Sequence, residues 1–103
     1  MNYSKFYIGQ IVEHLKAGYR GVVFSVDPEF CLSEEWYEQV ALSRPPKDQP
    51  WYHVLVDGAQ HTTYVAQRHL TVSLNTDQIE HPALGDNFKE FDGQRYHLKH
   101  TLH

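Results

Sequence analysis

The chain has 103 residues, with 13 Asp and Glu against 9 Lys and Arg, a formal net charge of −4, and one cysteine. That length holds one domain with a small core, since roughly 65% of the unfolded surface is buried at this size. A hydrophobic share of 41% with 21% charged residues excludes wholesale disorder. A single cysteine excludes an intrachain disulfide frame. No apolar run approaches the roughly 20 residues that span a bilayer, and MNYSKFYIGQ lacks a signal-peptide pattern. The expectation is a soluble cytoplasmic protein with no membrane partner. Nucleic-acid binders usually carry a basic excess, so a DNA contact here requires a local basic patch on an acidic body.

In chain order, IGQIVEHL (8–15) reads as a short strand and KAGYRG (16–21) as a turn, with Gly18 and Gly21 free to take angles that other residues resist. VVFSVD (22–27) is the partner strand. Its alternation sets Val22, Phe24 and Val26 on the core face and Val23, Ser25 and Asp27 on the other, and Pro28 ends it. LSEEWYEQVAL (32–42) predicts a short helix. Ser33 is its N-cap, Glu34 and Glu35 sit in the first turn, and Leu32 with Tyr37 have the spacing of a hydrophobic staple. SRPPKDQP (43–50), with three prolines, is a loop. WYHVLVD (51–57) is the clearest strand, bounded by Pro50 and Gly58. HTTYVA (61–66) is its mate across a short turn, and residues 69–73 supply a last short strand.

Beyond it, NTDQIEHPALGDN is polar and broken by Pro82 and Gly85. FKEF-DG-QRYHL then carries an Asp-Gly hairpin signal between aromatic flanks, and reads equally as a loose tail with aromatic anchors. Four or five short antiparallel strands in about 70 residues predict a mainly β fold, a small antiparallel barrel, with one short helix in an insert. The predicted division is a barrel domain over 1–75 and a C-terminal tail or hairpin over 76–103.

Catalytic chemistry has little to stand on. Cys31 lies between apolar Phe30 and Leu32 and reads as a small buried hydrophobe rather than a nucleophile. His97, His100 and His103 recur every third residue, which on a helix puts them roughly on one face; the alternative is a solvated C-terminus without metal. No cysteine pairs, no H-E-x-x-H and no phosphate-cradling glycine loop occur. The reading is a non-enzyme with no cofactor and no metal.

The segments IGQIVEHLKAGYRGVVFSVDPEF, EEWY, QPWYHVLVDG and TYVAQRHL occur in an order that resembles the HspQ (YccV-like) family of hemimethylated-DNA-binding proteins. They span roughly residues 5–74, and HPALGDNF with GQRY resembles the tail of shorter members. The resemblance implies an SH3-like barrel. It also implies two non-catalytic activities: binding of hemimethylated DNA, and modulation of the ATP-dependent protease Lon in the heat-shock response. The tail here is compact and aromatic, so contacts made by a longer polar tail do not transfer.

For DNA, Lys16 and Arg20 in the first turn, Arg68 after the fourth strand and Lys5 before the first form a basic cluster if the strands bring them together. Such a cluster positions phosphates without reading bases. Discriminating a methyl group in the major groove needs an apolar or aromatic contact, and Tyr19 is the candidate; the structural alternative is that it covers the barrel end. For a protein partner, Trp36 and Tyr37 on the acidic helix and Phe88, Phe91 and Tyr96 in the tail are the candidate contacts. The tail rings have an alternative role folded back on the barrel. Trp51 is expected in the core. A homo-oligomer is compatible with all of this.

Overall fold

In the computed structural model, which describes residues 3–99, the first strand is shorter than its apolar pattern: β1 spans Ile11–His14. β2 (Arg20–Asp27), β3 (Trp51–Val56), β4 (Thr62–Ala66) and β5 (Leu70–Val72) form with it one antiparallel sheet of order β4-β3-β2-β1-β5. β1 is therefore an interior strand, flanked by β2 and by the sequence-distant β5. The mainly β, antiparallel expectation holds. The barrel is not closed by strand pairing: β4 and β5 are the two sheet edges, joined through a single 3-10 turn at Gln67–His69.

The helix α1 runs Glu34–Val40, with the Ser33 hydroxyl accepting from the Trp36 amide at 3.1 Å. The staple partner differs from the expected one. Leu32 is 38% exposed, and Phe30 instead meets Tyr37 edge-on at 5.3 Å. A short α2 (Leu84–Asn87) leads into β6 (Phe88–Phe91), which pairs with β7 (Tyr96–Leu98) across the predicted Asp-Gly turn. Gly93 takes φ +99° there, and Asp92 accepts the amides of Gln94 and Arg95. His97 sits in β7, bonded to Asp92 at 2.8 Å, rather than on a helix. His100 and His103 lie outside the described residues.

The predicted one-sided alternation of β2 is corrected. Val22 and Val23 are both fully buried, on opposite faces. Val22 and Phe24 join one cluster, but Val26 packs beside Val23 on the other. The cause is a bulge between Val23 and Ser25, which advances the strand by one residue and inverts the pattern beyond it. β3 is likewise buried on both faces: Tyr52 and Val54 point to the inner cluster, Trp51 and Leu55 to outer ones.

The outer face has two covers. The C-terminal segment lays Ile79, Phe88 and Tyr96 over Ile11, Val22 and Leu55. The insert lays Tyr37 and Ala41 over Trp51 and Ala66. Gly18 makes the predicted turn with φ +78°, but Gly21 serves a different end. It sits in β2 where a Cβ would come within 2.6 Å of the Leu55 carbonyl oxygen. The N-terminal segment is pinned from inside: the Lys5 amide donates to the Tyr52 hydroxyl and to Gln67 Oε1, while Gln67 donates to the Tyr3 carbonyl. No helix among the described residues is long and apolar enough to cross a membrane.

Candidate functional site

Beside the free edge of β4 lies a groove of about 760 Å³. All five β4 residues line it, with Thr62 exposed, Thr63 and Tyr64 half-buried, and Val65 and Ala66 buried in the core behind. Trp36, Val40 and Leu42 of the insert form one wall, and His14, Lys16, Tyr19 and His69 form the other. The floor is aromatic: Trp51 and Tyr64 stack at 5.2 Å with a 22° tilt, and Trp36 stands edge-on to Tyr64 at 5.6 Å.

An Asp27 carboxylate holds this floor in register. It accepts from the Tyr64 hydroxyl at 2.7 Å and lies 3.1 Å from His53 Nε2. Burial and that carboxylate push the Tyr64 phenol well above its ordinary range, so it remains a neutral donor. The same hydroxyl accepts the Cys31 amide, which ties the loop before α1 to β4. Cys31 itself is exposed, against the expectation of burial. Its thiol points to the Glu29 carbonyl at 3.2 Å. Desolvation and the nearby Asp27 and Glu29 charges raise its pKa, so it is held as a thiol rather than a nucleophilic thiolate.

The basic candidates divide. Lys16 lies on the groove wall with Tyr19, whose hydroxyl meets Thr63 Oγ1 at 2.7 Å. Burial raises the Tyr19 phenol, which keeps it neutral. Arg68 is exposed and donates to the Ser43 carbonyl at 2.7 Å, beside Ser43 Oγ, which is 2.8 Å from His69 Nε2. His69 is desolvated and feels the positive fields of Lys16, Arg68 and His14, all lowering its pKa. His14 stacks on His69 at 5.8 Å and is lowered by desolvation and by Lys16. Its Nδ1 accepts the amides of Lys16 and Ala17, a geometry that only an unprotonated Nδ1 can adopt.

Arg20 belongs elsewhere. It pairs with Asp57 at 3.2 Å and donates to the carbonyls of Asn75 and Asp77, with its side chain only 14% exposed. It fastens the linker after β5 to the end of β3. Lys5 shares a small depression with Arg68 rather than the groove.

Of the candidate protein contacts, only Trp36 stands on the groove. Tyr37 is buried, its hydroxyl donating to the Pro45 carbonyl at 2.7 Å. Phe88 and Tyr96 are core rings, and the Tyr96 hydroxyl accepts the Ile79 amide at 2.7 Å. Phe91 is half-buried against Tyr96. A partner meets Tyr37, Phe88 or Tyr96 only if the insert or the hairpin opens.

Sequence reading missed His14 and His69. The available signal was that each lies within two residues of a nominated base, Lys16 or Arg68. Among the described residues, no group of three or more His, Cys, Asp or Glu side chains is placed to hold a metal ion. Residues 4–95, which include the whole five-stranded sheet and the groove, match a family model described as hemimethylated DNA-binding protein YccV like. That description names a binding activity and no reaction. The chain belongs to the YccV-like family.

Proposed function

We propose that this protein is a non-catalytic, regulatory binder of hemimethylated DNA, and that Lys16 and Arg68, with His14 and His69 between them, receive the phosphate backbone. The carrying observation is that Lys16 lines the groove with His14 and His69, and that Arg68, next to His69 in the chain, adds its positive field there, on a chain of net charge −4. In this reading Arg20 has no phosphate to hold, because Asp57 and two carbonyls already occupy it. Tyr19, fixed through Thr63 next to Lys16, is the ring offered to a methyl group at the major-groove edge.

The test is a titration of unmethylated, hemimethylated and fully methylated duplexes of one sequence, at low and at physiological salt. The expected result is a preference for the hemimethylated duplex that persists at physiological salt and is lost in Tyr19→Ala. Equal affinity for all three duplexes, vanishing with salt, refutes methyl readout.

A second reading, modulation of the Lon protease through protein contacts, is favoured by Trp36, a half-buried tryptophan on an open apolar groove. Trp36→Ala is expected to abolish any effect of the protein on Lon turnover of a model substrate; an unchanged effect removes Trp36 from that role.

A further inference from the structure

The backbone of β4 shows what the groove is shaped to hold. In its antiparallel pairing with β3, Tyr52 opposes Val65 and Val54 opposes Thr63. The Gln67 amide donates to the Pro50 carbonyl at 3.0 Å, which fixes the phase of the ladder. Val65 and Thr63 therefore bond to β3, and the N–H and C=O groups of Thr62 and Tyr64 point away from it. No described residue supplies partners for those four groups.

Folded chains usually blunt such an edge with charge, proline, a bulge or a covering loop. The sequence T-T-Y-V at 62–65 has neither charge nor proline, its pairing with β3 is regular, and the space beside it is open. The far wall supplies an apolar surface at Trp36, Val40 and Leu42, the last 76% exposed. The other rim is basic, with Lys16 beside His14 and His69.

We infer that β4 is a docking edge for an extended segment of a partner protein, which adds a sixth strand to the sheet. The segment has apolar side chains at alternate positions, directed onto Trp36 and Tyr64, and an acidic side chain facing Lys16. Main-chain bonds to Thr62 and Tyr64 hold it, and the rings and the lysine select it. This rests on the groove being a protein-contact surface, the second reading above, and adds how the partner is held. It also makes peptide and DNA compete for Lys16.

The experiment selects binders to the full chain from a displayed random octapeptide library, then resynthesises the best peptide with single backbone N-methyl groups. N-methylation at alternate residues, those whose amides face β4, is expected to weaken binding at least tenfold, while the intervening positions change it less than twofold. Thr62→Pro removes one outward N–H from an edge strand, where proline is tolerated, and is expected to weaken the peptide similarly. Lys16→Glu is expected to remove the preference for an acidic residue. Peptides that bind, fail on Trp36→Ala and are indifferent to N-methylation overturn strand addition and leave the protein-contact reading intact. No enrichment of any peptide overturns both. No enrichment together with shifts of the Tyr64 amide resonance on adding duplex overturns the inference and gives the groove to nucleic acid.

Discussion

The two covers on the outer face of the sheet are built from the same residue types and end in opposite states. Under the C-terminal hairpin, Phe88 and Tyr96 are about 5% and 4% exposed, and the Tyr96 hydroxyl is spent on the Ile79 amide. Under the insert, Trp36 and Tyr64 are only half-buried, and the strand edge beneath them has backbone groups that no described residue pairs. The hairpin covers the middle of the sheet, where β1, β2 and β3 already satisfy one another's backbone, so its rings have only apolar surface to bury. The insert reaches an edge, where covering the rings leaves main-chain groups open. Ring content alone does not separate a structural aromatic from a binding one; the state of the neighbouring backbone does.

The largest effect that sharpens this contrast is expected from Tyr96→Ala. It removes a core ring packed on Phe88 and Phe91 and the acceptor for the Ile79 amide. Urea unfolding should show a loss of about 3–5 kcal/mol. Trp36→Ala at the half-buried site should cost about 1–2 kcal/mol, because its ring is only partly removed from water. Equal losses would erase the distinction between the two covers.

Next come the two classes of basic residue. Lys16→Glu with Arg68→Glu should lower duplex affinity more than tenfold and reduce the slope of log affinity against log salt by about 2. Arg20→Gln should leave that slope unchanged. It should instead lower stability by about 1–2 kcal/mol, since Asp57 loses its ion pair but keeps the Glu80 amide. A changed slope in Arg20→Gln would return Arg20 to the DNA surface.

The smallest effect concerns pH. His14 and His69 are both shifted below the ordinary 6.5. Just below that value the unfolded chain binds more protons than the folded one, so their contribution to stability is present above it and lost as pH falls through it. Phosphate favours the imidazolium, so duplex affinity should move oppositely and rise several-fold between pH 7.5 and 5.5. His69→Gln should flatten that rise; an unaltered profile removes His69 from the interface.

Where chemistry is local, it was legible before the fold. Ser33 as a cap, the proline loop at 43–50, the Asp-Gly hairpin and the run WYHVLV all specify themselves through nearest neighbours. The β2 bulge was not legible, because VVFSV alternates acceptably without it and only pairing with β3 demands the extra residue. Nor was the fate of Arg20, whose partners lie 37 to 57 positions away. The groove was invisible for the same reason. It follows from β4 being an edge, and strand order is a property of the whole sheet. Gly21 shows the subtler case: a glycine in a predicted turn whose use is close approach to a neighbouring strand.

The interior position of β1, between β2 and the edge strand β5, also has a kinetic consequence. Val12 pairs with Gly21 on one side and with Val72 on the other. On a ribosome the meander from β1 to β4 is made in sequence order, each strand finding the one just before it. The second flank of β1 waits bare until Leu70–Val72 has been synthesised and released. Contacts of such sequence separation slow folding, because the intervening chain must be ordered before they form. The rate-determining event is therefore expected to be the arrival of β5, with the C-terminal hairpin docking last onto a sheet already complete.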